Sequence, residues 1–257
     1  MSLPGRVLLN TYRVVRPIAR GAVATVYLAL DARGRPFAVK VFPEGYAARA
    51  DREWQVGRAL EHPNVNPVLE RLDVDRFPAV LLAYAPGRRL AEQPAGPEGF
   101  LAVFKQLLAA LGHMHERGYV HRDVKPENVI VDARGNARLI DFDLSGPRRE
   151  PTRSLRLGTI AYIAPEQVRG ENVTPATDVY AAGVILYWGL TGELPYVGSP
   201  EAVMQSHLHA PLPKAEGFDP QSQLGKVLAR MVAKESSERY ADASEALEAL
   251  EALQSPS

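Results

Sequence analysis

The stretch HRDVKPEN, residues 121–128, leads directly into the apolar run Val129–Val131. A turn at Arg134-Gly135 follows, and the chain continues as RLIDFD over residues 138–143. Short apolar runs bounded by turn residues predict a strand on each side of this turn. Two carboxylates, a lysine and an amide therefore lie at the ends of two adjacent strands, and this arrangement decides the fold that we expect.

These side chains have the chemistry that phosphoryl transfer requires. A carboxylate can orient an attacking hydroxyl and accept its proton, oxygen ligands suit Mg²⁺, and a cation neutralises charge on the transferring group. We expect Asp123 to be the base, Asn128 and Asp141 the metal ligands, and Lys125 the cation at the γ-phosphate. The alternative is a loop of turn residues with solvated charges, which would explain each residue singly but not the whole string.

The same stretch resembles the catalytic loop of the eukaryotic-type (Hanks-type) serine/threonine protein kinases. The resemblance covers residues 12–253, and the composition is similar to that of bacterial members. It implies a two-lobed α+β fold, with an antiparallel sheet and one helix in residues 1–84 and a mainly helical lobe in residues 85–257. The apolar periodicity agrees, because strand-like runs fill the first third and helical spacing begins near Phe100.

The resemblance extends to a lysine and a glutamate in the first lobe. Residues 37–40, FAVK, resemble the family's V-A-I-K strand, which implies that Lys40 reaches the α- and β-phosphates of ATP. Its partner on the next helix should be Glu53, because Glu44 lies too close to Lys40 and Glu61 lies at the helix end. Gly57 should keep this helix short, since glycine costs about 1 kcal/mol relative to alanine in a helix.

The loop that should cover the phosphates is the poorest match. Residues 19–26, ARGAVATV, keep only Gly21 of the family's three glycines, and glycine lets backbone N–H groups approach a phosphate. The resemblance also implies an apolar adenine slot and hydrogen bonds from the hinge backbone. The slot would be lined by Ile18, Val26, Ala38, Leu82 and Ile130, and the hinge bonds would come from Ala83 and Ala85. A plain core role would explain each apolar residue equally well.

Downstream, residues 158–166, GTIAYIAPE, resemble the end of the family's activation segment. This implies a buried ion pair between Glu166 and Arg239, and a role for Asp178 in bracing the catalytic loop. Lys125 and Thr159 resemble the serine/threonine branch of the family. We therefore expect transfer of the ATP γ-phosphate to serine and threonine hydroxyls of proteins.

The segment before this motif suggests two alternatives. In the family, the arginine at position 122 often pairs with a phosphorylated residue, because phosphate adds up to two negative charges. Autophosphorylation at Thr152 or Ser154 is one hypothesis, and a basic docking loop for acidic substrates is the other. The basic residues concerned are Arg148, Arg149, Arg153 and Arg156.

The departure with the largest consequence is Asp143, which stands where the family's Asp-Phe-Gly has glycine. Aspartate restricts φ and adds a negative charge near the metal. Its side chain could point away and leave a working site, or it could hinder nucleotide or help to hold an extra cation. Because the metal ligand Asp141 is present, we expect an active enzyme.

Composition restricts the class of protein further. Acidic and basic residues balance at 30 each, so no net field favours nucleic acid or an anionic membrane. The absence of cysteine excludes disulfides and thiol chemistry, and no segment is long and apolar enough for a membrane span. We expect a cytoplasmic protein that contains the catalytic domain only and that uses ATP with Mg²⁺, or with Mn²⁺ in its place.

Two rival functions remain at this stage. A pseudokinase, acting as a nucleotide-binding or scaffold module, is favoured by Asp143 and the glycine-poor loop. The intact motif residues oppose it, namely Lys40, Asp123, Asn128 and Asp141. A small-molecule phosphotransferase of related fold would share the H-x-D-x-x-x-x-N string. Lys125 and the stretch 158–166 speak against it.

Overall fold

A computed structural model describes residues 3–92, 97–148, 157–215 and 219–253. The first lobe is an antiparallel six-stranded sheet in the order β1-β2-β3-β4-β6-β5. One helix, α1, packs on strands β5 and β6. These elements are β1 (Val7–Leu8), β2 (Tyr12–Arg20), β3 (Thr25–Leu30), β4 (Pro36–Val41), α1 (Ala47–Arg58), β5 (Val68–Val74) and β6 (Phe77–Ala83).

The two-residue period of β4 assigns its side chains to two environments. Val39 and Val41 enter an apolar cluster on one face of the sheet, together with Leu72, Val74 and other residues. Ala38 and Lys40 face the other way, toward a cleft between the lobes. The alternation of the strand thus places Lys40 in that cleft.

The second lobe is mainly helical, with short strands at its border with the first lobe. Strands β9 and β10 pair antiparallel, β7 adds to β9, and β8 pairs with β11. The strands are β7 (Arg88–Arg89), β8 (Tyr119–Val120), β9 (Val129–Val131), β10 (Ala137–Leu139) and β11 (Gly146–Pro147). The helices are α2 (Pro97–Glu116), α3 (Pro165–Arg169), α4 (Pro175–Thr191), α5 (Pro200–His209), α6 (Gln223–Met231) and α7 (Ala243–Ala252).

Helix α4 is the centre of this lobe. Most of its residues are buried, as the apolar run at Val179–Leu190 predicts, and it packs against α2, α6 and α7. Gly189 allows the approach of α2, because a Cβ there would lie 2.0 Å from the Phe100 ring. In the described part of the chain, no helix is both long and apolar enough to cross a bilayer.

The predicted α+β, two-lobed fold is therefore confirmed. Helix α2 begins at Pro97, earlier than Phe100, near which the helical spacing begins in the sequence. Proline is favoured in the first turn of a helix because its missing N–H is not needed there.

Gly57 has a packing role that its helix propensity did not indicate. Helix α1 continues through it to Arg58, and a Cβ at Gly57 would lie 2.0 Å from Val68 Cγ2 and 2.7 Å from Val68 Cβ. The glycine therefore permits close contact between α1 and β5.

We predict that Gly57→Ala destabilises the protein by about 1–3 kcal/mol, because overpacking outweighs the gain of about 1 kcal/mol in helix propensity. The measurement is denaturant unfolding. The double variant Gly57→Ala, Val68→Ala should regain part of the loss, since it removes the clashing methyl groups. A single variant as stable as the native chain would contradict this account.

Candidate active site

The cleft between the lobes, with a volume of about 470 Å³, gathers the residues that the sequence suggested for nucleotide and metal. Its walls include parts of β2, β3, β4, α1, β6, β7, β9 and the turn after β10. The predicted residues that line it are Ile18, Gly21, Val26, Ala38, Lys40, Glu53, Leu82, Ala83, Ala85, Asn128, Ile130 and Asp141. Asp123 and Lys125 lie outside the lining and contact it through Asn128.

Lys40 joins three separate elements of the fold. Its Nζ donates to Glu53 Oε2 on α1 at 2.6 Å and to Asp141 Oδ1 in the turn after β10 at 2.7 Å. The lysine is 7% exposed and Glu53 is 1% exposed, so water screens these ion pairs little. The predicted choice of Glu53 over Glu44 and Glu61 matches this contact.

The charges around Lys40 explain its pKa and that of Glu53. Burial alone would lower the pKa of Lys40, but the carboxylates of Asp141, Glu53 and Asp143 outweigh it and raise that pKa. The pKa of Glu53 is raised to about 7, chiefly by burial and also by the nearby Asp141 and Asp143, against the opposing effect of Lys40. The excess of carboxylates over cations thus accounts for the shift of Lys40, whereas burial is the main cause of the shift of Glu53.

The antiparallel pairing of β9 and β10 brings Asn128 and Asp141 together. Asn128 directly precedes β9 and Asp141 follows the end of β10, so the two residues lie at the same end of the hairpin. Ile140 N–H also donates to the Asn128 carbonyl at 2.9 Å. Sequence spacing could suggest this proximity, but only the pairing register establishes it.

Around Asp123, hydrogen bonds organise the catalytic-loop stretch. Asn128 Nδ2 donates to the Asp123 carbonyl at 2.8 Å and to Asp123 Oδ2 at 3.2 Å. Lys125 Nζ lies 2.8 Å from the same Oδ2. The Asp123 side chain is thus held between an amide and an ammonium, and it is 1% exposed.

A buried carboxylate below this loop holds its backbone. Asp178 accepts the N–H groups of His121 at 2.7 Å and Arg122 at 2.9 Å. It also contacts His115 Nε2 at 2.9 Å, and no motif in the sequence marks this histidine. Although burial opposes it, these donors lower the pKa of Asp178.

Two residues of the site adopt left-handed backbone conformations. Arg122 has φ +70° and Asp141 has φ +71°, where a residue with a side chain is strained by about 1–3 kcal/mol. Asp178 holds the first and Lys40 contacts the side chain of the second. Such strain persists only where the surroundings enforce it, and here both strained residues lie next to the predicted catalytic groups.

The end of the predicted activation segment is fixed to the second lobe. Arg239 donates to both oxygens of Glu166, at 2.8 Å and 2.9 Å, and Thr177 donates to Glu166 Oε1 at 2.8 Å. Burial would raise the pKa of Glu166, but Arg239 and the other donors lower it. Gln167 Nε2 also donates to the Arg122 carbonyl at 3.1 Å, so this segment contacts the catalytic loop directly.

The hinge backbone is partly engaged within the protein itself. Ala83 N–H donates to the Pro67 carbonyl at 3.0 Å, and Asn66 Nδ2 donates to the Ala83 carbonyl at 3.0 Å. A carbonyl has a second lone pair. A nucleotide base could therefore bond to the Ala83 carbonyl, while the Ala83 N–H is already used.

Asp143 lies in the wall of the cleft, and its carboxylate contacts Arg49 on α1. Arg49 Nη1 lies 3.4 Å from Asp143 Oδ2, and Asp143 is 2% exposed. Its φ is not positive, so this conformation does not require glycine. Sequence reasoning missed Arg49 because no motif marks it.

The predicted phosphorylation residues Thr152 and Ser154, with Arg149, Arg153 and Arg156, lie outside the described residues.

We predict that Asp143→Gly changes the rate of phosphotransfer or the affinity for ATP by less than about tenfold. The variant loses one buried charge and gains backbone freedom worth about 0.5–1 kcal/mol, which are modest effects. Steady-state kinetics provide the measurement, and Asp143→Ala is the control because it removes the charge without that freedom. A gain of several hundredfold in the rate or the affinity would show that Asp143 severely impairs the native site.

Comparison with known proteins agrees with this geometry. The protein kinase domain family matches residues 12–254. The chain is 32% identical to the serine/threonine-protein kinase PrkC of Bacillus subtilis over 95% of this chain and 40% of PrkC. It is 34% identical to the serine/threonine-protein kinase PknL of Mycobacterium tuberculosis, over 94% of this chain and 65% of PknL.

A third relative is the DNA damage-responsive serine/threonine-protein kinase RqkA of Deinococcus radiodurans. The identity is 37%, over 92% of this chain and 38% of RqkA. The chain spans about two fifths of PrkC and RqkA and about two thirds of PknL. The family match extends over nearly the whole chain and coincides with the two lobes and the cleft between them, and we conclude that the chain belongs to the protein kinase family.

Proposed function

We propose that the chain is an active protein serine/threonine kinase that transfers the γ-phosphate of ATP to hydroxyl groups of proteins. The observation that carries the proposal is the connection of Lys40, Asp141, Asn128 and Asp123 around one cleft. A scaffold module would not need a buried carboxylate held by an amide and an ammonium beside a nucleotide-sized cavity.

In this proposal, Asp123 accepts the proton of the attacking hydroxyl. Its Oδ2 atom is oriented by Lys125 and Asn128, so the carboxylate is positioned before a substrate arrives. Lys125 would move from Asp123 to the γ-phosphate and neutralise charge that develops there. Transfer would be direct and in line, with no phosphoenzyme.

Lys40 would hold the α- and β-phosphates, with Glu53 keeping its ammonium in place. Ile18, Val26, Ala38, Leu82 and Ile130 would enclose the adenine, and backbone groups of Ala83 and Ala85 would bond to it. Gly21 would bring backbone N–H groups toward the phosphates.

The oxygen ligands present fit a hard divalent cation. Asn128 uses Nδ2 for Asp123, so its Oδ1 is the atom suited to a metal, and Asp141 adds a carboxylate on the cleft wall. We propose Mg²⁺ at these residues, with Mn²⁺ as an alternative. When bound, the ion would neutralise charge on the phosphate oxygens.

Further parts of the proposal concern the whole protein. We propose a lobe boundary at residues 84 and 85, a cytoplasmic location and protein substrates with serine or threonine acceptors. The names of the relatives support the last of these, since PrkC, PknL and RqkA are all serine/threonine-protein kinases.

We predict that Asp123→Asn lowers the rate of protein labelling by about 10²–10⁴-fold, because it removes the base. Nucleotide affinity should change little, since Asp123 lies outside the cavity lining. The measurement is transfer of labelled phosphate from ATP to a protein substrate, with ATP binding measured in parallel. Native activity no higher than that of Asp123→Asn would favour the pseudokinase, and labelling of small molecules alone would favour the related phosphotransferase.

A second prediction concerns the modified residues. After incubation with Mg-ATP, mass spectrometry should find phosphate on Thr152 or Ser154, and acid hydrolysis should yield phosphoserine or phosphothreonine without phosphotyrosine. The Asp123→Asn protein treated in parallel should carry none. Labelled protein substrate with unmodified Thr152 and Ser154 would contradict autophosphorylation there and favour the docking loop.

A further inference from the structure

Asp143 brings a third carboxylate to the group around Lys40. The other two are Glu53 and Asp141, and all three lie close enough to Lys40 to raise its pKa. Among the described residues, the cations that contact them are Lys40 itself and Arg49, whose Nη1 lies 3.4 Å from Asp143 Oδ2. These five groups together carry a formal charge of minus one, and removing Arg49 would make it minus two.

The contact with Asp143 explains why a cation lies at position 49, whereas the helix dipole does not favour a cation there. Arg49 lies in the first turn of α1, where the helix dipole disfavours a cation, and that turn contains no acidic residue. Its guanidinium lies 5.7 Å from the Tyr46 ring centroid and is about four-fifths buried. The dipole favours the Asp143 carboxylate at this end of the helix, and Arg49 compensates its charge.

The contact between Arg49 and Asp143 joins the same two elements as the contact at Lys40, namely α1 and the turn after β10. Arg49 and Glu53 are four residues apart and share one face of α1. Asp141 and Asp143 are two residues apart in the turn after β10. Helix α1 is thus joined to this turn at two points one helical turn apart, directly through Arg49–Asp143 and through Lys40 between Glu53 and Asp141. A rotation of α1 away from the cleft would break both.

We propose that Arg49 and Asp143 form a positioning pair that fixes helix α1 to the turn after β10. The pair thereby keeps Glu53 and Asp141 in contact with Lys40. A glycine at position 143 would leave the backbone of the turn free to move, whereas the contact between Arg49 and Asp143 restrains it. The effect of the pair on catalysis rests on the proposed function. Its effect on the shape of the cleft between the lobes does not rest on that function.

The test is a double-mutant cycle with Arg49→Met, Asp143→Asn and the combined variant. The principal readout is the Kd for ADP without metal, which depends on neither phosphotransfer nor a bound cation. Amide hydrogen exchange of residues 47–58 reports the position of α1, and thermal unfolding checks that each variant folds. Arg58→Met is the matched control, because Arg58 is on the same helix and stacks on Trp54 at the opposite end.

Arg49→Met should weaken ADP binding by at least about fivefold and speed exchange in α1, because it removes the cation that joins this helix to Asp143. In the Asp143→Asn background, the same change should cost less than about twofold. Arg49→Lys should restore part of the affinity, and Arg58→Met should leave binding and exchange at native values. With an active enzyme, Arg49→Met should lower kcat more than it alters KM for the protein substrate.

Equal losses from Arg49→Met in both backgrounds would overturn the proposal, because a long-range charge effect is additive whereas a contact is not. Unchanged exchange in α1 would overturn it as well. If native protein binds ADP and shows the coupling but transfers no phosphate, the proposed function fails while the positioning pair stands. If it transfers phosphate without the coupling, the reverse holds.

Discussion

The ammonium of Lys40 is the interaction on which the rest of this structure depends. It lies between carboxylates of two elements that are far apart in the chain, Glu53 on α1 and Asp141 after β10. Because Lys40 and Glu53 are buried, loss of Lys40 would leave the charge of Glu53 without its cation, at a cost of about 3–5 kcal/mol. The relative position of the two lobes, and with it the shape of the cleft, is tied to this contact.

Asp178 has a comparable role below the cleft. Its carboxylate accepts the backbone N–H groups of His121 and Arg122 and so maintains the strained φ of Arg122. That backbone leads directly to Asp123. The carboxylates at Lys40 and at Asp178 therefore hold the turn after β10 and the catalytic-loop stretch in place relative to the cleft.

The departures from the family pattern fit this electrostatic arrangement. Asp143 adds negative charge to a site that already holds Glu53 and Asp141, and the structure offsets it with Arg49 from the helix that carries Glu53. The negative charge that Asp143 adds to the site is therefore offset by the positive charge of Arg49. By contrast, no compensating contact of this kind accompanies the loss of glycines around Gly21 in the described part of the chain, although Ala24 of the same loop is buried.

From the sequence alone, the motif HRDVKPEN and the strand-like runs around it determined the family, the two-lobed fold and the identity of the cleft residues. Local patterns suffice there, because strand alternation and the spacing of the motifs place Lys40, Asn128 and Asp141 at strand ends. The tertiary structure alone decided that Gly57 permits close packing, that His115 contacts Asp178, and that Arg49 pairs with Asp143. These contacts join residues up to 94 positions apart and depend on how helices pack, for which a short sequence pattern carries no signal.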